Sequence, residues 1–154
     1  MTRILVPEGL LAEILSQARK PHALNEAGGL LLGLRKDNAV HVIRLTLPKP
    51  WDRATPVLFE RSARGHRFAA LRAWKASLGK VDWVGEWHTH PFGTANPSFT
   101  DQKSWRRLAN HVKRPMAFII AGRTDIFVGV QDPGSRDVRR LRSVEIDETY
   151  RLFG

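Results

Sequence analysis

Residues 85–91 read GEWHTHP, and Asp101 follows after a short loop. Side chains two positions apart on an extended strand project from the same face, so His88 and His90 can reach one metal ion together. Pro91 lacks the N–H that a central strand needs, and we expect the strand to end there with both histidines beside the loop. The loop can return Asp101 as a third ligand. Two histidines and one carboxylate are typical of a catalytic zinc site that keeps a fourth position for water.

A site of this kind needs a base and a stabiliser of negative charge. Glu26 precedes a short apolar run, residues 28–34, that we predict to be a buried strand. Its side chain should therefore lie at the start of that strand. A partly shielded carboxylate beside a metal can transfer protons near neutral pH, which makes Glu26 the candidate base. Ser98 could donate a hydrogen bond to the oxyanion that forms during amide hydrolysis.

Each residue also has a simpler interpretation. The pair Ser98 and Asp101 matches a capping box, which would begin a helix at this point without any metal. A His-x-His pair alone binds metal in a minority of cases, and a lone glutamate such as Glu26 is usually a solvated loop carboxylate. The spacing therefore leaves both a cap and a ligand open for Asp101.

Composition narrows the possible functions. The 154 residues contain no cysteine, which excludes disulfides, thiolate zinc ligands and cysteine nucleophiles. The formal charge of +10 could favour nucleic acid, but the basic residues are spread along the chain, so we favour a solvated surface and expect no nucleic-acid partner. Apolar runs are far shorter than the ~20 residues of a membrane span, and Glu8 and Glu13 interrupt any signal peptide. We expect one cytoplasmic domain, residues 1–154, without a membrane association.

Hydrophobic spacing predicts a mixture of strands and three helices, which indicates a layered α/β domain. The predicted strands are residues 3–6, 28–34, 40–47, 57–60, 83–90, 116–121 and 126–130. The predicted helices begin at Pro7, at Ser62 and near Asp101. The segment after residue 137 fits either a helix or a strand.

Three further expectations concern side chains. The second helix should pack through one apolar face, formed by Phe68, Leu71, Trp74 and Leu78. Trp83 and Trp87 should both lie in the core, on the face opposite the two motif histidines. The remaining histidines, His22, His41, His66 and His111, should be surface or structural residues.

The joint pattern resembles the JAMM motif of the MPN+/JAB metallopeptidases. Every position of that motif is filled: Glu26-x-x-Gly29-x-x-x-Gly33, then His88-x-His90-Pro91, six residues, and Ser98-x-x-Asp101. The resemblance covers roughly residues 4–130. The amino acids in and around the motif are similar to those of the short prokaryotic JAB branch. It implies an MPN fold in which a mixed β-sheet is flanked by helices, with a layering like that of cytidine deaminases.

The resemblance also implies a function. One Zn²⁺ per chain would be held by His88, His90 and Asp101 with water as the fourth ligand, Glu26 would be the general acid and base, and Ser98 would stabilise the oxyanion. The substrate would be a ubiquitin-like or CD-NTase-like protein, cleaved at the amide bond after its C-terminal residue. Members of this branch occur in bacterial operons beside E1- and E2-like proteins, including CBASS antiphage systems.

Substrate binding and two alternatives remain open at this point. An extended substrate tail could add as a strand to a sheet edge, with the loop of residues 48–56 and its Trp51 as a wall of the groove. An ordinary ordered loop is an equally good interpretation. The enzyme could instead process a sulfur-carrier protein in a biosynthetic pathway. A non-catalytic MPN-like interaction module is a third possibility, although such modules typically lose the ligands that this chain keeps.

Overall fold

The computed structural model describes residues 1–20, 24–48, 52–55, 58–60 and 63–154. The helices are α1 (Glu8–Ala18), α2 (Ala63–Ala76) and α3 (Phe99–His111). The strands are β1 (Arg3–Pro7), β2 (Gly28–Lys36), β3 (Ala39–Leu45), β4 (Arg53–Thr55), β5 (Leu58–Glu60), β6 (Asp82–Thr89), β7 (Met116–Ala121), β8 (Ile126–Gln131), β9 (Arg139–Arg140), β10 (Ser143–Ile146) and β11 (Tyr150–Phe153). Among these residues no helix has the length and apolar character needed to cross a membrane.

Nine of these strands form one mixed sheet, in the order β10-β11-β1-β3-β2-β6-β7-β8-β9. The pairs β1–β3 and β6–β7 are parallel, and the other neighbours are antiparallel. The β2–β3 hairpin turns through Asp37, whose φ of 52° lies in the left-handed region. The expected α/β fold with a mixed sheet and flanking helices is therefore confirmed.

Alternating side chains of the sheet build a core on each of its faces. Ala117, Ile119 and Ala121 of β7 pack with α1, whose buried residues Leu11 and Ile14 follow the predicted helical spacing. On the opposite face, the other half of β7 packs against α3 through Trp105, and Leu30 and Leu32 of β2 pack against α2 through Ala73. The sheet therefore separates α1 from α2 and α3, and a side chain's parity along a strand decides which helix it meets.

The predicted packing of α2 is wrong. Phe68, Leu71, Trp74 and Leu78 are between 44% and 90% exposed. The buried positions are instead His66 and Ala73, with Ala70 half-buried between them. These three residues are three or four positions apart and so share one face of α2, but their side chains are small or polar. This face packs against the sheet, although its hydropathy does not distinguish it from the rest of the helix.

The two tryptophans of β6 lie on opposite faces of the sheet, whereas the prediction placed both on one face. The pairing of β2 with β6 shifts by one residue between Leu31 and Leu32. As a result Trp87 packs in the core beneath α1, as expected, whereas Trp83 packs on the side of α2 and α3. An extra residue in one strand reverses the facing of every side chain beyond it, and the sequence carries no obvious mark of this irregularity.

Two elements differ from or complete the sequence-based prediction. β4 was not expected, and it pairs with β5 to form a separate two-stranded sheet. The segment after residue 137, which fitted a helix or a strand, contains the strands β9, β10 and β11. Trp51, the proposed wall of a substrate groove, and His22 lie outside the described residues.

Candidate metal centre

The two motif histidines lie at the end of β6, a central strand of the sheet. His88 lies within β6, and His90 follows its last residue, although the N–H of His90 still donates to the carbonyl of Ala121. Pro91 comes next, which is consistent with the expected end of the strand. The Nε2 atoms of His88 and His90 lie 3.1 Å apart, so the two rings aim at the same point.

Asp101 reaches this point from the first turn of α3. Its Oδ1 lies 3.0 Å from His88 Nε2, and its Oδ2 lies 3.3 Å from His90 Nε2. Ser98 is the N-cap of α3, and a complete capping box joins Ser98 to Asp101. The cap and the approach to the histidines therefore occur together, because a carboxylate has two oxygens and several acceptor positions.

Glu26 completes the cluster from the segment just before β2. Its Oε1 lies 3.8 Å from His90 Nε2, and the side chains of all four residues are only 10% to 15% exposed. The structure thus brings together His88, His90, Asp101 and Glu26, all of which were predicted for the site from the sequence. Ser98 is exposed at the edge of the same cluster.

The spacing of these atoms is compatible with one shared metal ion. The Nε2 atoms of His88 and His90 lie 3.1 Å apart, and they lie 3.0 and 3.3 Å from different oxygens of Asp101, Oδ1 for His88 and Oδ2 for His90. One ligand atom from each of the three residues lies within 4.8 Å of the other two. His90 also points its Nδ1 at the carbonyl oxygen of Thr94, 2.8 Å away. Donation from Nδ1 leaves the Nε2 lone pair free for a cation, as in many metal-binding histidines.

The electrostatics of the cluster favour a cation. Burial would raise the pKa of Asp101, but hydrogen bonds from His88 and His90 outweigh it and hold that pKa well below its usual range. Burial would lower the pKa of His90, but the hydrogen bonds to Asp101 and to the Thr94 carbonyl outweigh it and raise that pKa. The Asp101 carboxylate thus stabilises positive charge at Nε2 of His90, and a cation bound there would replace the proton on that nitrogen.

Glu26 differs from Asp101 in its environment. Burial raises the pKa of the Glu26 carboxyl, and the nearby His88 and His90 offset this effect only in part. Two carboxylates whose surroundings move their pKa values in opposite directions are suited to different tasks. Asp101 is suited to binding a cation, and Glu26 is suited to accepting and releasing a proton.

Several residues that hold the site were not identified from the sequence. Thr89 lies between the two histidines, is 1% exposed, and accepts a hydrogen bond from the N–H of Ala27 at 2.9 Å. The N–H of Thr89 donates in turn to the Ala27 carbonyl at 2.8 Å, which ties the Glu26 segment to β6. The Asp125 carboxylate accepts from the N–H of Ala95 and thereby holds the loop after His90. In a His-x-His strand the middle residue faces the other way, and this parity was the available signal for Thr89.

Comparison with known proteins agrees with this geometry. The model of the family described as prokaryotic homologs of the JAB domain matches residues 7–141. A protein of Pseudomonas aeruginosa named CD-NTase/cGAS isopeptidase is 42% identical over 112 residues, which cover 71% of this chain and 70% of that protein. A protein of Sinorhizobium fredii named as a probable metalloprotease is 29% identical over 133 residues, covering 77% of this chain and 76% of that protein.

A solved structure supports the fold alone. The solution structure of protein DSY2949 from Desulfitobacterium hafniense superposes with a TM-score of 0.66 at 21% identity, covering 89% of this chain and 88% of that chain. The family model spans most of the chain and includes every residue of the cluster. The chain therefore belongs to the prokaryotic homologs of the JAB domain and is an enzyme of the JAMM peptidase type.

Proposed function

We propose that this protein is a zinc isopeptidase that releases a CD-NTase-like protein from its conjugates by cutting the amide bond after its C-terminal residue. The observation that supports this most is the meeting of His88, His90, Asp101 and Glu26 within one shielded cluster. The substrate class is inferred from relatives named CD-NTase/cGAS isopeptidase, one of them 42% identical to this chain over 71% of its length.

In this proposal His88, His90 and Asp101 hold one Zn²⁺ per chain, with water as the fourth ligand. Two imidazole nitrogens and one carboxylate oxygen, without thiolates, form a ligand set that zinc uses in catalytic sites. When bound, the ion would polarise the scissile carbonyl and lower the pKa of a coordinated water toward ~7.

The chain's own groups move the protons. Glu26 accepts a proton from the attacking water as the new carbon–oxygen bond forms. It then delivers that proton to the leaving nitrogen as the carbon–nitrogen bond breaks, so one carboxyl serves both steps. The raised pKa of Glu26 is appropriate for such a shuttle, because the group must bind and release a proton at a similar pH.

Ser98 is proposed to donate a hydrogen bond to the oxyanion of the tetrahedral intermediate. Its Oγ already accepts from the N–H of Asp101 at 3.1 Å, which fixes the oxygen at the start of α3. The hydroxyl hydrogen is not used by that bond and is the group that would face the oxyanion. A donor already held in place needs no reorganisation when the charge develops.

The proposed setting is the bacterial cytoplasm, in an antiphage operon that also encodes E1- and E2-like proteins. An extended C-terminal tail of the substrate is proposed to pair with an exposed strand edge near the site. In the described part of the chain, β4 and β5 pair only with each other. The outer edge of this hairpin is the edge that we propose for the tail.

The proposal is tested with a CD-NTase-like protein fused through its C-terminus to a reporter domain. We expect the zinc-loaded protein to cut after the last residue of the CD-NTase-like part, as mapped by mass spectrometry. Removing the metal with a chelator should abolish the cut, and added zinc should restore it. Glu26→Gln should lower kcat by about 10²–10⁴-fold while zinc content stays unchanged.

Two other results would contradict the proposal. Cleavage of a sulfur-carrier precursor but not of the CD-NTase-like fusion would assign the enzyme to a biosynthetic pathway. A protein that binds no zinc yet still binds its partner would be a non-catalytic module. His88→Ala is the matched control for metal loss, because it removes a ligand and leaves Glu26 in place.

A further inference from the structure

A second cluster of polar side chains lies in the protein interior, apart from the metal centre. His66 of α2 is 1% exposed, and its two ring nitrogens each meet a partner. Nδ1 lies 2.6 Å from Thr46 Oγ1, and Nε2 lies 2.8 Å from Asp52 Oδ2. The side chains of His66 and Asp52 are both 2% exposed. A buried polar group is costly unless it is hydrogen-bonded, so this arrangement constrains three separate segments.

One assignment of the hydrogens satisfies every polar group of this cluster. The N–H of Leu30 donates to Thr46 Oγ1 at 2.8 Å, so the hydroxyl acts as an acceptor there and has one hydrogen left to donate. If that hydrogen is donated to Nδ1 of His66, the ring proton lies on Nε2 and is donated to Asp52. In this arrangement the hydroxyl and both ring nitrogens each have a partner, so the three side chains form one continuous series of hydrogen bonds.

At one end of this series of hydrogen bonds, Thr46 is bonded to β2, the strand that follows Glu26. The N–H of Thr46 donates to the Leu30 carbonyl at 3.0 Å, and the Thr46 carbonyl accepts from Trp87 Nε1 at 3.0 Å. A Cβ on Gly29 would overlap the Thr46 carbonyl oxygen, which shows how closely the two backbones approach. Gly29 follows Gly28, which pairs with His88. Thr46 therefore packs directly against the first residues of β2, the strand that follows Glu26.

At the other end of this series, Asp52 lies next to the β4–β5 hairpin. Asp52 immediately precedes β4, and within the described residues the β4–β5 hairpin forms a sheet separate from the large one. No ladder of backbone hydrogen bonds between described strands joins the two sheets. The start of the hairpin is therefore held to α2 by a side-chain contact, between Asp52 and His66.

We propose that His66, held between Thr46 and Asp52, is a positioning residue that orients the β4–β5 hairpin relative to the metal centre and so sets the affinity for an extended substrate tail. This inference rests on the proposed function, in which the tail pairs with the hairpin edge. His66 touches neither the metal ligands nor Glu26 in the described contacts, so it acts on binding rather than on the chemical step.

The sharpest test uses a pair of variants at Thr46. Thr46→Val keeps the shape of the side chain but removes the hydroxyl that links Leu30 to His66, whereas Thr46→Ser keeps the hydroxyl. With the CD-NTase-like fusion as substrate, we expect Thr46→Val to raise KM by roughly tenfold with kcat within about twofold of wild type. Thr46→Ser should restore the wild-type KM, and zinc content should be equal in all three proteins.

A second readout does not need the substrate. Hydrogen–deuterium exchange of the β4 and β5 amides should be faster in Thr46→Val than in Thr46→Ser, while exchange in β1 and β11 stays the same. If the wild-type enzyme fails to cut the fusion, the proposed function fails, and the exchange data still decide whether the network holds the hairpin. Equal hairpin exchange in the two variants, or a fall in kcat with unchanged KM, would overturn this inference.

A second pair of variants covers the case in which Thr46→Val does not fold. Asp52→Asn keeps an oxygen that can accept from His66 Nε2, and Asp52→Ala removes it. We expect Asp52→Ala to reproduce the higher KM and the faster hairpin exchange, with Asp52→Asn close to wild type. Identical behaviour of these two variants would show that the His66 contact does not position the hairpin.

Discussion

At the scale of single residues, the carboxylate of Asp101 serves the helix and the metal centre together. Its Oδ2 accepts from the N–H of Ser98 at 2.6 Å, which is one half of the capping box. The same side chain lies 3.0 Å from His88 Nε2 through its other oxygen. The cap thus orients the carboxylate before any metal binds, and a preoriented ligand loses less conformational freedom on binding.

The two tasks of this motif can be separated by mutation. Asp101→Asn keeps an oxygen for the Ser98 N–H but loses the negative charge, so we expect loss of zinc and of peptidase activity with a small change in stability. Ser98→Ala removes the acceptor for the Asp101 N–H and should lower the free energy of unfolding by about 0.5–2 kcal/mol while zinc is retained. Metal analysis and denaturant unfolding of the metal-free proteins measure both effects. Loss of zinc in Ser98→Ala would show that the cap and the ligand cannot be separated.

At the scale of secondary-structure elements, close backbone approach explains the glycines of the central strands. A Cβ at Gly33 would overlap the His41 carbonyl oxygen, and one at Gly85 would overlap the carbonyl oxygen of Ala117 in the neighbouring strand. Gly29, which contacts Thr46 in the same manner, shares this role. The motif glycines are therefore packing residues of the sheet, and they act on the site by allowing β2 to lie where Glu26 is needed.

Gly85→Ala tests this packing. The added methyl group meets backbone atoms that cannot rotate away, so we expect a loss of about 1–3 kcal/mol in the free energy of unfolding. Gly9→Ala is the matched control: Gly9 lies in α1, and a Cβ there meets nothing within 4 Å. That substitution should stabilise the protein by about 0.5–1 kcal/mol, because alanine favours the helix. Urea unfolding of both variants distinguishes them, and equal effects would contradict the packing argument.

At the scale of the whole molecule, the last strand ties the two ends of the described chain together. β11 pairs antiparallel with β1, and Phe153 packs at 4% exposure in the core beneath α1. Arg151 forms two hydrogen bonds with the Glu8 carboxylate at the start of α1. These contacts extend beyond residue 141, where the match to the family model ends. The C-terminal strands are thus part of the same sheet as the metal centre.

Phe153→Ala should therefore destabilise the entire molecule. We expect the free energy of unfolding to fall by about 3–5 kcal/mol, because a large buried side chain is lost from the core. Val144→Ala, at a site that is 57% exposed, should change it by no more than about 0.5 kcal/mol. If residues 1–154 form one domain, far-UV circular dichroism and tryptophan fluorescence should report one coincident transition in each protein. Two separated transitions would show that the C-terminal strands unfold independently of the metal centre.

Local patterns determined the candidate site and most of the elements. Residues 85–91, with Ser98 and Asp101, carry their own geometry, because strand parity and a helix cap act over a few residues. Glu26 was identifiable through its family spacing to Gly29. The predicted strand and helix positions follow the observed ones closely for the same reason: their hydrophobic periods are local.

Only the tertiary structure decided which surfaces meet. The exposed Leu71 and Trp74, the separation of Trp83 from Trp87, and the burial of His66 all depend on partners distant in sequence. A helix or strand has a period of its own, but the element that covers it is chosen by the packing of the whole sheet. His66 illustrates this: its partners Thr46 and Asp52 come from other segments, so the chain of hydrogen bonds exists only once the sheet and α2 have packed together.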